Sequence, residues 1–285
     1  MIDYLLYRVG QFLAMSLPLK LAYKLAVFFS DLRYLFASED KKQVSENLRA
    51  IFPDKPPKEI REIQVRMFRN FAKYLVDFFR FEKIDKEYIK KNVRFENARF
   101  FDEALAKGKG IITLTAHLGN WELGGAIIAL SGYPFWAVAL SHKNKLVNRF
   151  FNRQRQSKGV NVIPLGIAVR RCLSVLKNNG LVALVGDRLF GETGITLDFF
   201  GKPALFPQGP ATFCLKTGAA IVPGFMLRNS DDTFTLRIEK PLEFSPSADQ
   251  EKDIKRIISE YKLIFEDYIR KYPDQWYMFK RFWIE

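Results

Sequence analysis

Apolar positions fall into two regimes along this chain. Up to about residue 81 they recur at three- and four-residue intervals; from residue 98 such intervals alternate with short continuous apolar runs. In PKEIREIQVRMFRNFAKYLVDFFRF, Ile60, Ile63, Met67, Phe68, Phe71, Leu75, Phe78 and Phe79 keep helical spacing, which predicts one long helix with a single buried face. Its other face carries Arg61, Arg66, Arg69, Lys73 and Arg80, a pattern open to two readings, a solvated face or a contact for anionic lipid.

The second regime reads as alternating helix and strand. ARFFDEALAKGKG is a helix closed at Gly108, and GIITLTA is the strand that follows it. A helix start at Trp121, then YPFWAVAL, LVNRFFNRQRQ, VNVIPL, AVRRCLSVLKNNG and LVALVGD, continue the alternation. ITLDFF, AAIVPGFML and TFTLRIEK read as later strands, with helix ATFCLKTG between the first two, and residues 249–272 as a closing helix. The expected fold is α/β, a layered fold with a largely parallel mixed central sheet flanked by helices. Ligands bind at the carboxyl ends of the strands in such sheets, so the chemistry is expected there.

The N-terminus changes this picture. Residues 4–36 are strongly apolar, yet Arg8, Lys20 and Lys24 interrupt them and Pro18 breaks the helical period. An uncharged run of about 18–20 residues, the length of a spanning helix, is missing. A basic leader with a small-residue cleavage site is missing too, so the segment does not read as a signal peptide. The expectation is a membrane-associated helical segment over residues 1–36, two helices lying in the interface, ahead of one domain over residues 37–285. A pair of core helices is the alternative.

Composition narrows the partners. The net charge of +14 and pI near 9.7 call for an anionic partner. The 27 Phe, many beside Lys or Arg as in MFKRFW, suit an interfacial protein better than a nucleic-acid reader. Cys172 and Cys214 lack metal-ligand spacing, so neither zinc nor disulfide chemistry is expected.

The run TLTAHLGNWELGG carries the candidate chemistry. His117 stands at the end of the apolar run, Asn120 suits the N-cap of a helix beginning at Trp121, and Glu122 falls in its first turn. The spacing lets the turn fold Glu122 back toward one imidazole nitrogen, leaving the other for a substrate hydroxyl, the base and orienter of a triad without its nucleophile. A structural histidine beside a dipole-placed glutamate fits the same spacing.

HLGNWE, the later GDRLFGETGITLDFFGKPALFPQGPATFCLKTGAAIVP and the closing PDQWYMFKRFW together resemble the late acyltransferases of lipid A biosynthesis. That family includes lauroyl and myristoyl transferases and the related phosphatidylinositol mannoside acyltransferases. The chain is more distantly similar to the glycerolipid acyltransferases, which carry Asp where Glu122 stands. The resemblance implies His117 as general base and Glu122 as its partner, with direct attack on an acyl thioester and no Ser or Cys nucleophile. Arg155, or its neighbour Arg153, would bind a phosphate or developing negative charge; Asn120 would join the substrate contacts. Asp187 and Arg188 match an acidic residue and its follower at the end of a strand, at the sheet edge expected for His117. No metal and no cofactor are implied.

The implied donor is acyl carrier protein or acyl-coenzyme A. The implied acceptor is a hydroxyl of a lipid A precursor or related membrane glycolipid, with a lysophospholipid or phosphatidylinositol mannoside as the alternative. The implied place is the cytoplasmic face of the inner membrane, with anionic lipids as partners and no nucleic acid. A basic membrane-surface binding protein is the non-enzymatic alternative. FPQG at 206–209 resembles the FPEG phosphate motif of the glycerolipid enzymes only superficially, since it lies one element too late, and it reads as a turn. His142 reads as an ordinary loop histidine.

Overall fold

The computed structural model describes residues 2–189 and 194–284. Helices α1 (Ile2–Ser16) and α2 (Leu19–Phe36) are separated at Pro18 and followed by α3 (Ser38–Ile51), α4 (Pro57–Phe79) and α5 (Lys86–Asn92). Strand β1 (Val93–Glu96) and helix α6 (Arg99–Leu105) lead into the alternating part. There, β2 (Ile111–Thr115), α7 (Trp121–Leu130), β3 (Phe135–Ala139), α8 (Lys145–Gln156), β4 (Asn161–Pro164), α9 (Ala168–Lys177) and β5 (Leu181–Val185) follow one another. Strands β6 (Gly194–Phe199) and β7 (Lys202–Pro207), helix α10 (Gly209–Thr217), strands β8 (Ala220–Arg228) and β9 (Phe234–Ile238) and helix α11 (Gln250–Lys271) complete the chain.

The main sheet runs β1-β9-β8-β2-β5-β3-β4. Strands β8, β2, β5, β3 and β4 are mutually parallel, and β9 turns antiparallel to β8. Period-two alternation sends Ile112 and Leu114 to the face covered by α9, α10 and α11, and Ile111 to the face covered by α4, α6, α7 and α8. The expected mixed, largely parallel layered sheet is therefore the observed one. Two strands lie outside the expectation. β1 is four residues of VRFE with no buried member, and β7 pairs with β6 in a separate antiparallel hairpin, so ITLDFF leaves the main sheet.

Helix α4 buries Ile60, Ile63, Met67, Phe68, Phe78 and Phe79 on the expected face. Its basic face is answered by protein carboxylates rather than by solvent alone. Arg66 meets Asp274 at 3.3 Å, Arg69 meets Asp31 at 2.7 Å and Lys73 meets Asp232 at 2.8 Å. Arg80 donates to the carbonyls of Ala14 and Leu17, capping the end of α1.

Among the described residues no helix is long and apolar enough to cross a membrane. Helix α1 docks through Gly10, where an added Cβ would stand 2.9 Å from Phe79, and through Tyr7, whose ring stacks on Phe150 and meets Phe151 edge-on. Helix α2 docks through Tyr23, which donates to Asp77. The remaining surface of the two helices exposes Leu5, Leu6, Val9, Phe12, Phe28, Phe29, Leu35 and Phe36.

Candidate active site

Strands β2 and β5 set the site by their register. Thr115 lies opposite Val185, so His117 and Asp187, each two residues further, come level at the carboxyl edge. His117 Nδ1 is 2.7 Å from Asp187 Oδ1, and the His117 backbone N–H donates to Oδ2 at 3.0 Å. The Trp276 indole N–H donates to the same Oδ2 at 2.9 Å. Asp187 is fully buried, and burial alone would raise its pKa. His117, Arg188 and the Trp276 bond outweigh that and hold the carboxyl below the ordinary carboxylate range. An ionised Asp187 accepts, so in the neutral imidazole Nδ1 carries the proton and Nε2 the lone pair, the tautomer a general base needs.

The turn after His117 is locked by contacts that only certain residues permit. Gly119 has φ +67°, and a Cβ there would lie 2.1 Å from the Met226 carbonyl oxygen, so only glycine fits. The Gly119 N–H donates to the Gln275 carbonyl at 2.8 Å and the Tyr277 N–H to the His117 carbonyl at 2.8 Å, so the segment after α11 clamps the turn. Asn120 caps α7, accepting from the Leu123 N–H at 3.1 Å, as its position in the sequence predicts.

Asn120 does not, however, stand among the residues that line the cavity. It is buried and donates to Asp77 Oδ2 at 2.8 Å, and Asp77 in turn accepts from Tyr23 and Arg228. Burial pushes the Asp77 carboxyl up from its ordinary value, partly offset by the Arg228 charge, while Arg228 is held above its own. This polar cluster ties α2, α4, β8 and the turn after His117 together. Losing one partner of such a buried pair costs about 3–5 kcal/mol.

Glu122 is held by Arg155 rather than by the imidazole. The Arg155 guanidinium donates through Nε to Oε2 at 2.9 Å and through Nη2 to Oε1 at 2.5 Å, a two-pronged pair with both side chains nearly buried. The physical reason for the difference is plain: His117 Nδ1 is already taken by Asp187, and the start of α7 brings Glu122 to α8. Burial lowers the Arg155 pKa, but Glu122 more than offsets this and keeps it above its ordinary value.

These groups line a cavity of about 880 Å³ with His117, Trp121, Glu122, Arg155 and Arg188 in its wall. Elsewhere its wall is largely apolar, with Ile128, Phe135, Val160, Met226 and Leu236. Arg188 donates to the Tyr277 carbonyl at 3.3 Å, and its buried Nε has no hydrogen-bond partner among the described residues. Arg153, two residues from Arg155 and so on the opposite side of α8, is exposed and outside the cavity wall. His142 does belong to that wall, its ring 4.5 Å from Phe151; burial, then the Arg155 charge, hold its pKa below the ordinary value. Of FPQG, Phe206 and Pro207 close β7, Gly209 opens α10, and Pro207, Gln208 and Gly209 line the cavity. Cys172 and Cys214 are buried away from it.

Sequence reasoning did not anticipate two contributors. Trp276 fixes Asp187, and Tyr74 lines the cavity while stacking on Trp121 at 4.7 Å. For the dyad, the resemblance already sets Asp187 at the edge expected for His117, and the lengths of the two runs ending in these residues allow them to end level in a parallel pair.

The whole chain, residues 1–285, matches the model of the bacterial lipid A biosynthesis acyltransferases. It is 27% identical to a phosphatidylinositol mannoside acyltransferase of Mycolicibacterium smegmatis over 283 residues, 98% of this chain and 90% of that protein. A Mycobacterium tuberculosis protein of the same name is 28% identical over 202 residues, 69% of this chain and 64% of the relative. A lipid A biosynthesis acyltransferase of Haemophilus influenzae is 22% identical over 216 residues, 75% and 68% of the two chains. With His117 in the wall of a largely apolar cavity, backed by the buried Asp187 carboxylate, and a family match from end to end, this chain belongs to the bacterial lipid A biosynthesis acyltransferase family and is an acyltransferase.

Proposed function

We propose that the protein moves a fatty acyl chain from a thioester, carried by acyl carrier protein or coenzyme A, to a hydroxyl of a membrane glycolipid. The observation that carries this reading is His117 in the wall of a largely apolar cavity, bonded from behind to the buried Asp187. His117 Nε2 takes the proton of the acceptor hydroxyl while Asp187 balances the imidazolium. The oxygen attacks the thioester carbonyl carbon, the C–S bond breaks, and the thiolate leaves with the proton returned from His117. Arg188 supplies positive charge for the oxyanion, and the Glu122–Arg155 pair shapes the cavity and its charge. The apolar part of the cavity takes the acyl chain.

The acceptor is a lipid A precursor or a related glycolipid. The phosphatidylinositol mannoside reading is favoured by one observation, the longer and closer match to the mycobacterial relative than to the Haemophilus one. We place the enzyme on the cytoplasmic face of the inner membrane, held by residues 1–36, whose two helices expose large apolar side chains. The excess of basic residues favours an acidic carrier protein as donor and anionic lipid as the surface bound. Purified protein given each donor with each acceptor, read by mass spectrometry, tests the reading. Acyl transfer that vanishes in a folded His117→Ala variant supports it; transfer undiminished in that variant refutes it.

A further inference from the structure

Between Glu122 and Asp187 the chain carries nine of its 45 Lys and Arg and none of its 31 Asp and Glu. This stretch supplies β3, α8, β4 and α9, the edge of the sheet beside the cavity. Unlike the basic face of α4, its exposed cations are not answered by carboxylates. Lys143, Lys145, Arg149, Arg153 and Arg170 make no ion pair with a described residue. Three of them, Lys145, Arg149 and Arg153, follow one another at four-residue intervals, so they form a single stripe along α8.

Exposed aliphatic side chains sit among these cations. Leu140 is 56% exposed, Ile167 58% and Val169 63%, with Leu165 beside them at 38%. They come from the segments that leave the carboxyl ends of β3 and β4, which lie side by side with Ala139 opposite Pro164. Leu140, Leu165 and Val169 also line the cavity, so this mixed surface is its rim. On its other flank, α8 is packed by Tyr7 of α1, the helix whose outer face exposes Leu5, Leu6, Val9 and Phe12.

We propose that the rim formed by residues 140–149 and 165–171 is a bilayer-docking surface for anionic lipid, separate from residues 1–36, that seats the cavity mouth on the membrane. Unpaired Lys and Arg around loop-borne aliphatics are the chemistry of an interface in which cations meet phosphate headgroups and apolar tips enter the acyl boundary. Continuity with the apolar face of α1 spreads the contact wider than the compact patch a small acidic protein would cover. This deepens the proposed function, because a glycolipid acceptor held in the bilayer then enters the cavity without leaving the lipid phase.

The test is a full-length Ile167→Cys variant labelled with an environment-sensitive fluorophore. The native thiols compete little, since burial pushes both Cys172 and Cys214 up to about 11. Vesicles containing about one-third phosphatidylglycerol should shift the emission to the blue, pure phosphatidylcholine vesicles should shift it less, and added salt should weaken the response. A Lys145→Glu/Arg149→Glu/Arg170→Glu variant should bind the anionic vesicles at least about tenfold more weakly while keeping its turnover in detergent. Emission that stays at its aqueous wavelength while the protein floats with the vesicles would overturn the proposal and leave attachment to residues 1–36. Loss of turnover with an acyl carrier protein donor in detergent, with vesicle binding intact, would overturn it in favour of carrier docking. Failure of the acyltransferase reading itself would appear separately, as absence of acyl transfer by the wild-type protein in detergent.

Discussion

On each of two walls of the cavity a basic side chain is paired with a buried or nearly buried carboxylate, yet the pairs differ in what a proton can do. On the β2–β5 wall Asp187 faces His117, whose imidazole can both accept and give up a proton; on the α7–α8 wall Glu122 faces Arg155, which never loses its own. The first pair can move a proton through a catalytic cycle. The second is a fixed charge and a fixed shape. The HLGNWE run supplies one member to each wall, so spacing within a motif does not say which residues act together; the third dimension does.

Asp187→Asn should have the largest effect on this contrast. The amide turns its NH₂ or its oxygen to Nδ1 and no longer enforces the productive tautomer, so kcat should fall by about 10²–10⁴ with little change in KM. Steady-state kinetics on folded variants checks this. Glu122→Ala should act first on stability, lowering it by about 3 kcal/mol because Arg155 is left buried without its partner. Denaturant unfolding reads that loss, and Glu122→Leu combined with Arg155→Met should recover much of it. Arg155→Lys should fall between, since the cation stays but the two-pronged grip on Glu122 is lost.

Acid should also separate the walls. The folded pKa of Asp187 lies below its unfolded value of about 3.9, so its contribution to stability is present above that value and is lost as pH falls through the folded one. Below about pH 4 the wild type should therefore lose stability that the Asp187→Asn variant never had, as read by thermal unfolding across pH 3–6. The smallest effect is expected at Arg153. Exposed and off the cavity wall, it should tolerate Arg153→Ala with less than about twofold change in detergent turnover.

Much of this molecule is readable in its sequence because local pattern and tertiary burial agree. The alternation from ARFFDEALAKGKG to LVALVGD is strong enough to yield each strand and helix, and the lone histidine at a strand end marks the site. What was not readable depends on partners far along the chain. The sheet edge shared by Asp187 and His117 is legible, but the bond between these residues, 70 apart, is not, nor are those of Asp77 to Asn120, 43 apart, and of Trp276 to Asp187, 89 apart. No periodicity carries such pairings; only the register of β2 on β5 and the return of the C-terminal segment create them. The four half-polar residues of β1 carry no strand signal, and the carboxylates that answer the basic face of α4 come from α2, the β8–β9 turn and the residues after α11.

In the proposed mechanism Asp187, not Glu122, sets the protonation of the His117 imidazole. The chain contains two histidines, so ¹⁵N spectra of its imidazole nitrogens hold two ring systems, and a His142→Gln variant leaves only His117. At a pH where that ring is neutral, Nδ1 should carry a proton and Nε2 a lone pair, a pattern kept in Glu122→Gln and lost in Asp187→Asn. A tautomer unchanged by Asp187→Asn but altered by Glu122→Gln would contradict it.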